Sequence, residues 1–199
     1  MMLPPGLSFT AVSEKALAAS RTAKLARSYF SWDDMLSNNA NGFFPYTPAT
    51  GLLYGLDEAI KLLHEEGLDN VFARHARIGA ATRAAVRAWG LEINCRDPKY
   101  YSQAVTTVLV PEGHNADALR ALALDTFDIS LGTGLNKLAT KAFRIGHLGD
   151  TNDLTVLGAL TGVEMSLELA GIPHKKGGVQ AAMAEITGSM GNAPRAEAA

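Results

Sequence analysis

The sequence is short of most features that make a chemistry legible at once. A single cysteine, Cys95, in 199 residues excludes an intrachain disulfide and fits a reducing compartment. Within Glu92-Ile93-Asn94-Cys95 the thiol reads as strand filling rather than as a nucleophile. No apolar run approaches the roughly 20 residues that a membrane span requires. The opening Met1-Met2-Leu3-Pro4-Pro5-Gly6 lacks the basic and apolar regions of a signal peptide. Charge is balanced: 18 Lys and Arg against 20 Asp and Glu leave −2, so no basic stripe points to nucleic acid or an anionic membrane. His64, His75, His114, His147 and His174 show no close pairing and no acid at ligand spacing, which argues against a metal centre. No serine stands in a G-x-S-x-G setting, so there is no nucleophile elbow. The expectation is a cytoplasmic protein with no membrane, metal or nucleic-acid partner.

What is present is a 47% hydrophobic chain with clear helix and strand punctuation. Pro4-Pro5-Gly6 feeds a short apolar strand, Leu7-Ser8-Phe9, which is how a domain interior continues after a loop; the structural unit is expected to start upstream of Met1. Ser13 is placed to cap a helix over 14–23. Six aromatics crowd residues 27–47 around the turn-former cluster Ser37-Asn38-Asn39-Ala40-Asn41-Gly42, which predicts an irregular loop used for binding, for subunit contact or for pinning itself to its own core. Thr47 as N-cap and Pro48 at the first helical position then open a helix closed by Gly67. A second helix runs from Leu68 to Trp89, with Phe72 among its inward residues and Arg74, Arg77, Arg83 and Arg87 on its solvated side. Strands are predicted at 91–95, 104–110, 127–131 and 142–145, with helices at 116–124 (capped by Asn115), 154–170 (capped by Thr151 or Asn152) and 175–188. The order predicts a small α+β sandwich, one sheet with helices on one face. Residues 192–199 read as a disordered tail.

Two positions stand out chemically. Arg144 sits in the apolar strand 142–145, and a guanidinium cannot shed its charge, so it needs an anion. Its planar fork suits a carboxylate or phosphate, and a structural salt bridge to one of the chain's own acids satisfies it equally well. Thr47, at a helix N-terminus, can offer its hydroxyl to a phosphate or serve as a plain cap. Gly132-Thr133-Gly134 is a fragment of a Gly-rich phosphate loop without the helix that would complete it. No acid, base or nucleophile accompanies these residues, so residue chemistry alone describes a binding module or part of something larger.

Several stretches, taken in order, resemble one family: Met2-Leu3-Pro4-Pro5-Gly6-Leu7-Ser8-Phe9, Phe43-Phe44-Pro45-Tyr46-Thr47-Pro48-Ala49-Thr50, Leu53-Tyr54-Gly55-Leu56 and Phe143-Arg144-Ile145-Gly146-His147-Leu148-Gly149. They are similar to the class V aminotransferases of the serine–glyoxylate and alanine–glyoxylate type, which use pyridoxal 5′-phosphate on the type I fold. The resemblance implies that Thr47 hydrogen-bonds the cofactor phosphate of a neighbouring subunit in a homodimer, and that Arg144 grips the substrate α-carboxylate. Relatives that carry a phosphate-touching tyrosine three residues before this threonine are matched here by Phe44, which has no hydroxyl. The resemblance implies that the family's Schiff-base lysine would fall immediately before Met1, and that the preceding sheet, with its ring-pairing aspartate and stacking aromatic, would lie outside this chain. The implied organisation is a remnant of the α/β large domain with the interface loop over 1–70, a small C-terminal domain over 71–190 and a tail over 191–199. The implied reaction moves an amino group from serine or alanine to glyoxylate, in a complete enzyme of which this chain is the C-terminal half. The competing reading is a non-catalytic dimerisation module left by truncation.

Overall fold

Side-chain caps set several of the helix ends in the computed structural model, which describes residues 2–191. The chain divides into two units between Glu65 and Glu66. The first contains α1 (Glu14–Thr22), α2 (Trp32–Asn39) and nearly all of α3 (Thr50–Glu66). Ser13 caps α1 as expected, its hydroxyl accepting from Ala16 N–H. The segment over residues 3–6 lies on α3, where Leu3 meets Gly55 and Gly6 meets Leu52. Leu7–Phe9 forms no strand, and Phe9 is exposed. A lone extended segment has no neighbour to take its N–H and C=O groups.

The aromatic stretch is more ordered than its composition implies. Ser31 caps α2, and the Asn38 side-chain amide donates back to Asp34 O at 2.8 Å. The Ser/Asn cluster expected to break helix thus supplies its last turn, because short polar side chains bond local carbonyls in either setting. Tyr29 stacks on Tyr46 at 4.8 Å and meets Phe30 edge-on. Among the described residues Ala59 is the one buried hydrophobic residue of the first unit, while Phe9, Phe30, Phe43, Phe44 and Tyr54 are exposed. Helix α3 begins at Thr50, not at Pro48. Pro48 O turns onto Thr50 N–H, and Ala49 O accepts from Leu52 and Leu53, so Ala49 occupies the place expected of Thr47.

The second unit is the sandwich. It runs α4 (Leu68–Ala88), β1 (Glu92–Ile93), β2 (Val105–Leu109), α5 (Ala116–Phe127), β3 (Gly132–Thr133), β4 (Ala142–Gly146), α6 (Asp153–Leu169) and α7 (Gly178–Gly191). The strands form one antiparallel sheet in the order β1-β2-β4-β3. Alternation decides its faces: Thr106 and Val108 on β2 and Phe143 and Ile145 on β4 are buried, while Thr107 and Arg144 between them are half-buried on the other face. The buried face joins Ile78, Val86 and Trp89 of α4, Leu119 of α5 and Leu160, Val163 and Leu167 of α6 in one core. Each such fully buried side chain contributes about 1.5–3 kcal/mol.

Asn115 and Asn152 cap α5 and α6, and Gly90 and Gly171 stop α4 and α6 at positive φ. The predicted strand at 127–131 is absent: α5 runs through Phe127 and ends on Asp128 in the left-handed region, leaving the strand to Gly132–Thr133. Phe72 is exposed rather than inward. Arg83 is 7% exposed rather than solvated, because it lies on the flank of the α4 apolar stripe, where the 101–104 segment covers it. The predicted tail, 192–199, lies outside the described residues.

Candidate functional site

Arg144 stands in the middle of β4, directly opposite Thr107 on β2 and Gly132 on β3. Its Nε–H donates to Thr133 O at 2.8 Å. Among the described residues no carboxylate pairs with it, and no hydrogen bond uses its Nη1 or Nη2. The salt bridge that the sequence left open is therefore not made among the described residues. The neighbouring arginines differ. Arg74 forms a two-pronged pair with Glu66 at 2.6 and 2.7 Å, Arg77 pairs with Asp153 at 2.9 and 3.1 Å, and Arg120 pairs with Asp117 at 2.8 Å. A half-buried guanidinium fixed at one nitrogen, with its outer edge open, has the geometry that a planar anion can pair with.

The turn after β4 is held firmly. Arg74 Nη1 donates to Gly149 O and Thr151 O, both at 2.8 Å, and Gly149 N–H donates to His75 Nε2 at 3.1 Å. His75 Nδ1–H in turn donates to Val71 O, which fixes its tautomer. His147, the next inward residue after Ile145, is 1% exposed. Its Nδ1–H donates to Gln103 O at 3.1 Å, and its Nε2 accepts from Thr106 Oγ1 at 2.9 Å. Burial brings its pKa down to about 4, with the nearby Arg83 charge adding to the effect, so it is a neutral strut. Arg83 donates to Ser102 O and Gln103 Oε1 and lies over the Tyr101 ring, tying the same segment to α4. Burial and the Arg87 charge lower its pKa. With Thr107, Cys95 and Tyr101 it lines a cavity of about 130 Å³.

Thr47 belongs to the first unit, is exposed, and lies three residues before α3. Among the described residues its hydroxyl makes no hydrogen bond, so it is not the helix cap. The two sequence-singled positions thus fall in different units, each with donors unused by its own unit. Gly132-Thr133-Gly134 is no phosphate loop; its first two residues form the edge strand beside Arg144. Sequence reasoning missed the buried His147–Gln103–Arg83 network. Its only trace is a histidine in the apolar run after Arg144, a pattern that burial alone explains. Among the described residues there is no cluster of metal-ligating side chains and no helix long and apolar enough to cross a membrane.

No model of a known protein family matches the chain. It is 49% identical over 186 residues to the serine–glyoxylate aminotransferase of Hyphomicrobium methylovorum, covering 92% of this chain and 46% of that protein. It is 45% identical over 182 residues to the L-aspartate–glyoxylate aminotransferase of Paracoccus denitrificans, covering 91% and 46%. The crystal structure of pyridoxamine–pyruvate aminotransferase from Mesorhizobium loti superposes with a TM-score of 0.81 at 34% identity, over 89% of this chain and 46% of that one. The chain spans about half the length of each relative. Its antiparallel sheet with helices on one face is the C-terminal architecture of the pyridoxal-phosphate aminotransferases. Over nearly all its length the chain is similar to class V aminotransferases of the serine–glyoxylate type, and the share of them that it covers fits their C-terminal half.

Proposed function

We propose that this chain is the C-terminal half of a cytoplasmic, homodimeric transaminase that moves an amino group from serine or alanine to glyoxylate. The observation that carries the reading is Arg144: half-buried, without an acid partner, and held at Nε so that its Nη1–Nη2 edge stays open. Both substrates present a carboxylate, and a two-pronged pair to that edge would orient either one for proton transfer at the adjacent carbon. Relatives named for serine and for aspartate at 45–49% identity support the class of reaction and leave the amino donor open.

Pyridoxal 5′-phosphate, when bound, supplies the electron sink that amino-group transfer requires. The residues present fit its phosphate end. Thr47 offers an unspent, exposed hydroxyl just ahead of the 17-residue helix α3, where the helix dipole favours an anion. The resemblance assigns that hydroxyl to the phosphate of the neighbouring subunit. The resemblance places the groups for the ring in the half of the family that this chain does not match. Residues 1–70 would then be the large-domain remnant and 71–190 the small domain. The exposed aromatics of the first unit fit a surface covered by the rest of the enzyme.

Replacing Arg144 with Ala in the full-length enzyme tests the reading. Loss of a charged two-pronged pair should lower kcat/KM about 100-fold, with KM rising for the amino acid and for glyoxylate alike. Unchanged KM for both removes Arg144 from the site. The exposed aromatics equally favour a dimerisation module without catalysis. A 199-residue chain that dimerises by itself and gains no transaminase activity when the N-terminal half is supplied separately would establish that alternative.

A further inference from the structure

We propose that Gly132 is a positioning residue for Arg144, a glycine required by the arginine side chain rather than by its own backbone. The inference rests on the reading of Arg144 as the carboxylate anchor and specifies how that anchor is aimed. Gly132 is directly opposite Arg144 in the β3–β4 pairing. Its φ lies outside the left-handed region, so the backbone would accept any residue. The space above it would not. A Cβ on Gly132 would stand 3.0 Å from both Cβ and Nε of Arg144 and 3.3 Å from its Cζ. Ordinary carbon contacts begin near 3.5 Å, so the arginine lies flat across the bare glycine and would have to move for a methyl group. A Cβ–Cβ separation of 3.0 Å is also far below the roughly 4.5–5.5 Å of cross-strand neighbours.

That placement matters because of which nitrogen is held. Lying across Gly132 brings Nε over β3, where it donates to Thr133 O, the next carbonyl along. The guanidinium is planar, so fixing Nε and the side-chain stem fixes the direction of the Nη1–Nη2 edge. The acceptor is itself immobilised from α5. Thr133 Oγ1 donates to Asp117 Oδ1 at 3.0 Å, Arg120 pairs with the same oxygen at 2.8 Å, and Arg120 Nε donates to Leu131 O at 2.7 Å. A two-residue edge strand is thereby made rigid enough to aim an arginine. A methyl group at 132 would lift the stem, break the bond to Thr133 O and turn the open edge away, leaving the arginine present but misdirected.

Three measurements test this. In the 199-residue chain, the Arg144 Nε–H should exchange with water more slowly than that of the exposed Arg96, and Gly132→Ala should erase the difference. Equal protection in the parent and the variant overturns the proposal. The melting temperature supplies a second arm that stands even where Gly132→Ala folds poorly. Combining Gly132→Ala with Arg144→Ala should restore stability to that of Arg144→Ala alone, because the overlap is gone. A double variant as unstable as Gly132→Ala means the glycine serves something other than the arginine. In the full-length enzyme, Gly132→Ala should raise KM for glyoxylate and for the amino acid about tenfold while kcat at saturation falls far less. If Arg144→Ala raises both KM values and Gly132→Ala raises neither, the positioning role is refuted and the anchor stands. If Arg144→Ala changes neither, the anchor itself fails, whatever Gly132→Ala does.

Discussion

The acid stability of the second unit should carry the signature of His147. The ring is 1% exposed and neutral in the folded chain, donating from Nδ1 to Gln103 O and accepting at Nε2 from Thr106. A proton added at Nε2 would meet a ring buried among core residues and break the Thr106 bond. The folded pKa is therefore lowered from 6.5 to about 4. The unfolded ring binds a proton below about 6.5 and the folded ring resists it, so the unfolded state holds more protons across that window. Stability supplied by the neutral ring is complete above pH 6.5 and is lost progressively as pH falls toward 4. Each pH unit of displacement is worth about 1.4 kcal/mol, which gives a loss of about 3 kcal/mol between pH 7 and pH 4. Carboxylates contribute acid sensitivity of their own, so the measurement is a difference. Urea unfolding of the parent and of His147→Gln, followed by tryptophan fluorescence from pH 7 to 4, isolates the histidine. The variant has a lower plateau at pH 7, because it makes the two bonds less well, and a shallower fall. Parallel curves over the whole range would show that His147 does not titrate in this window, and the buried-strut account would be wrong.

Two further predictions concern the packing of α7. Glu164 receives N–H bonds from Trp89 Nε1 and from the backbone of Gly177 and Val179 at 2.7–3.1 Å; burial raises its pKa, and these three bonds outweigh that and lower it. Glu164→Ala should cost about 2 kcal/mol by leaving these donors without a partner, seen as a lower urea midpoint, and an unchanged midpoint would refute the role. Gly178, the first residue of α7, lies against the Trp89 indole, where an added Cβ would overlap the ring. Gly178→Ala should destabilise by about 1–3 kcal/mol and shift the tryptophan emission, whereas neutral behaviour would mean that α7 sits further from Trp89 than the structure shows.

The fold of the second unit was largely legible because its signals are local. Asn115, Asn152, Gly90 and Gly171 mark helix ends by chemistry that needs no tertiary partner, and β2 and β4 announce themselves by alternation. The misread elements depend on something beyond their own window. Gly132–Thr133 is a strand only because β4 lies beside it, and Arg83 is buried only because residues 101–104 fold over it. The loop at 37–42 was misjudged for a different reason, since serine and asparagine bond backbone groups inside a helix as readily as in a turn. At the site, an arginine in an apolar strand was visible in sequence. Its lack of an acid partner among the described residues was not, because 20 acidic residues could have supplied one and only geometry decides between them.

That geometry also bears on why the chain reads as half of a site. The strong donors packed inside the second unit are spent within it: Arg74 on Glu66 and two carbonyls, Arg77 on Asp153, Arg120 on Asp117 and Leu131, Arg83 on Ser102 and Gln103. An exposed arginine such as Arg96 is satisfied by water and signals nothing. Arg144 belongs to neither group. It is half-buried on a strand whose neighbours are Phe143 and Ile145, and its outer edge meets no acceptor among the described residues. That edge is left to water or to an anion from outside the described residues. Thr47 shows the weaker form of the same logic: a hydroxyl freed from capping because Ala49 has taken the cap. The family resemblance assigns an external anion to each of these two groups, a carboxylate at Arg144 and a phosphate at Thr47. The open edge of Arg144, more than the exposed hydroxyl of Thr47, is the physical observation that supports the proposed carboxylate site.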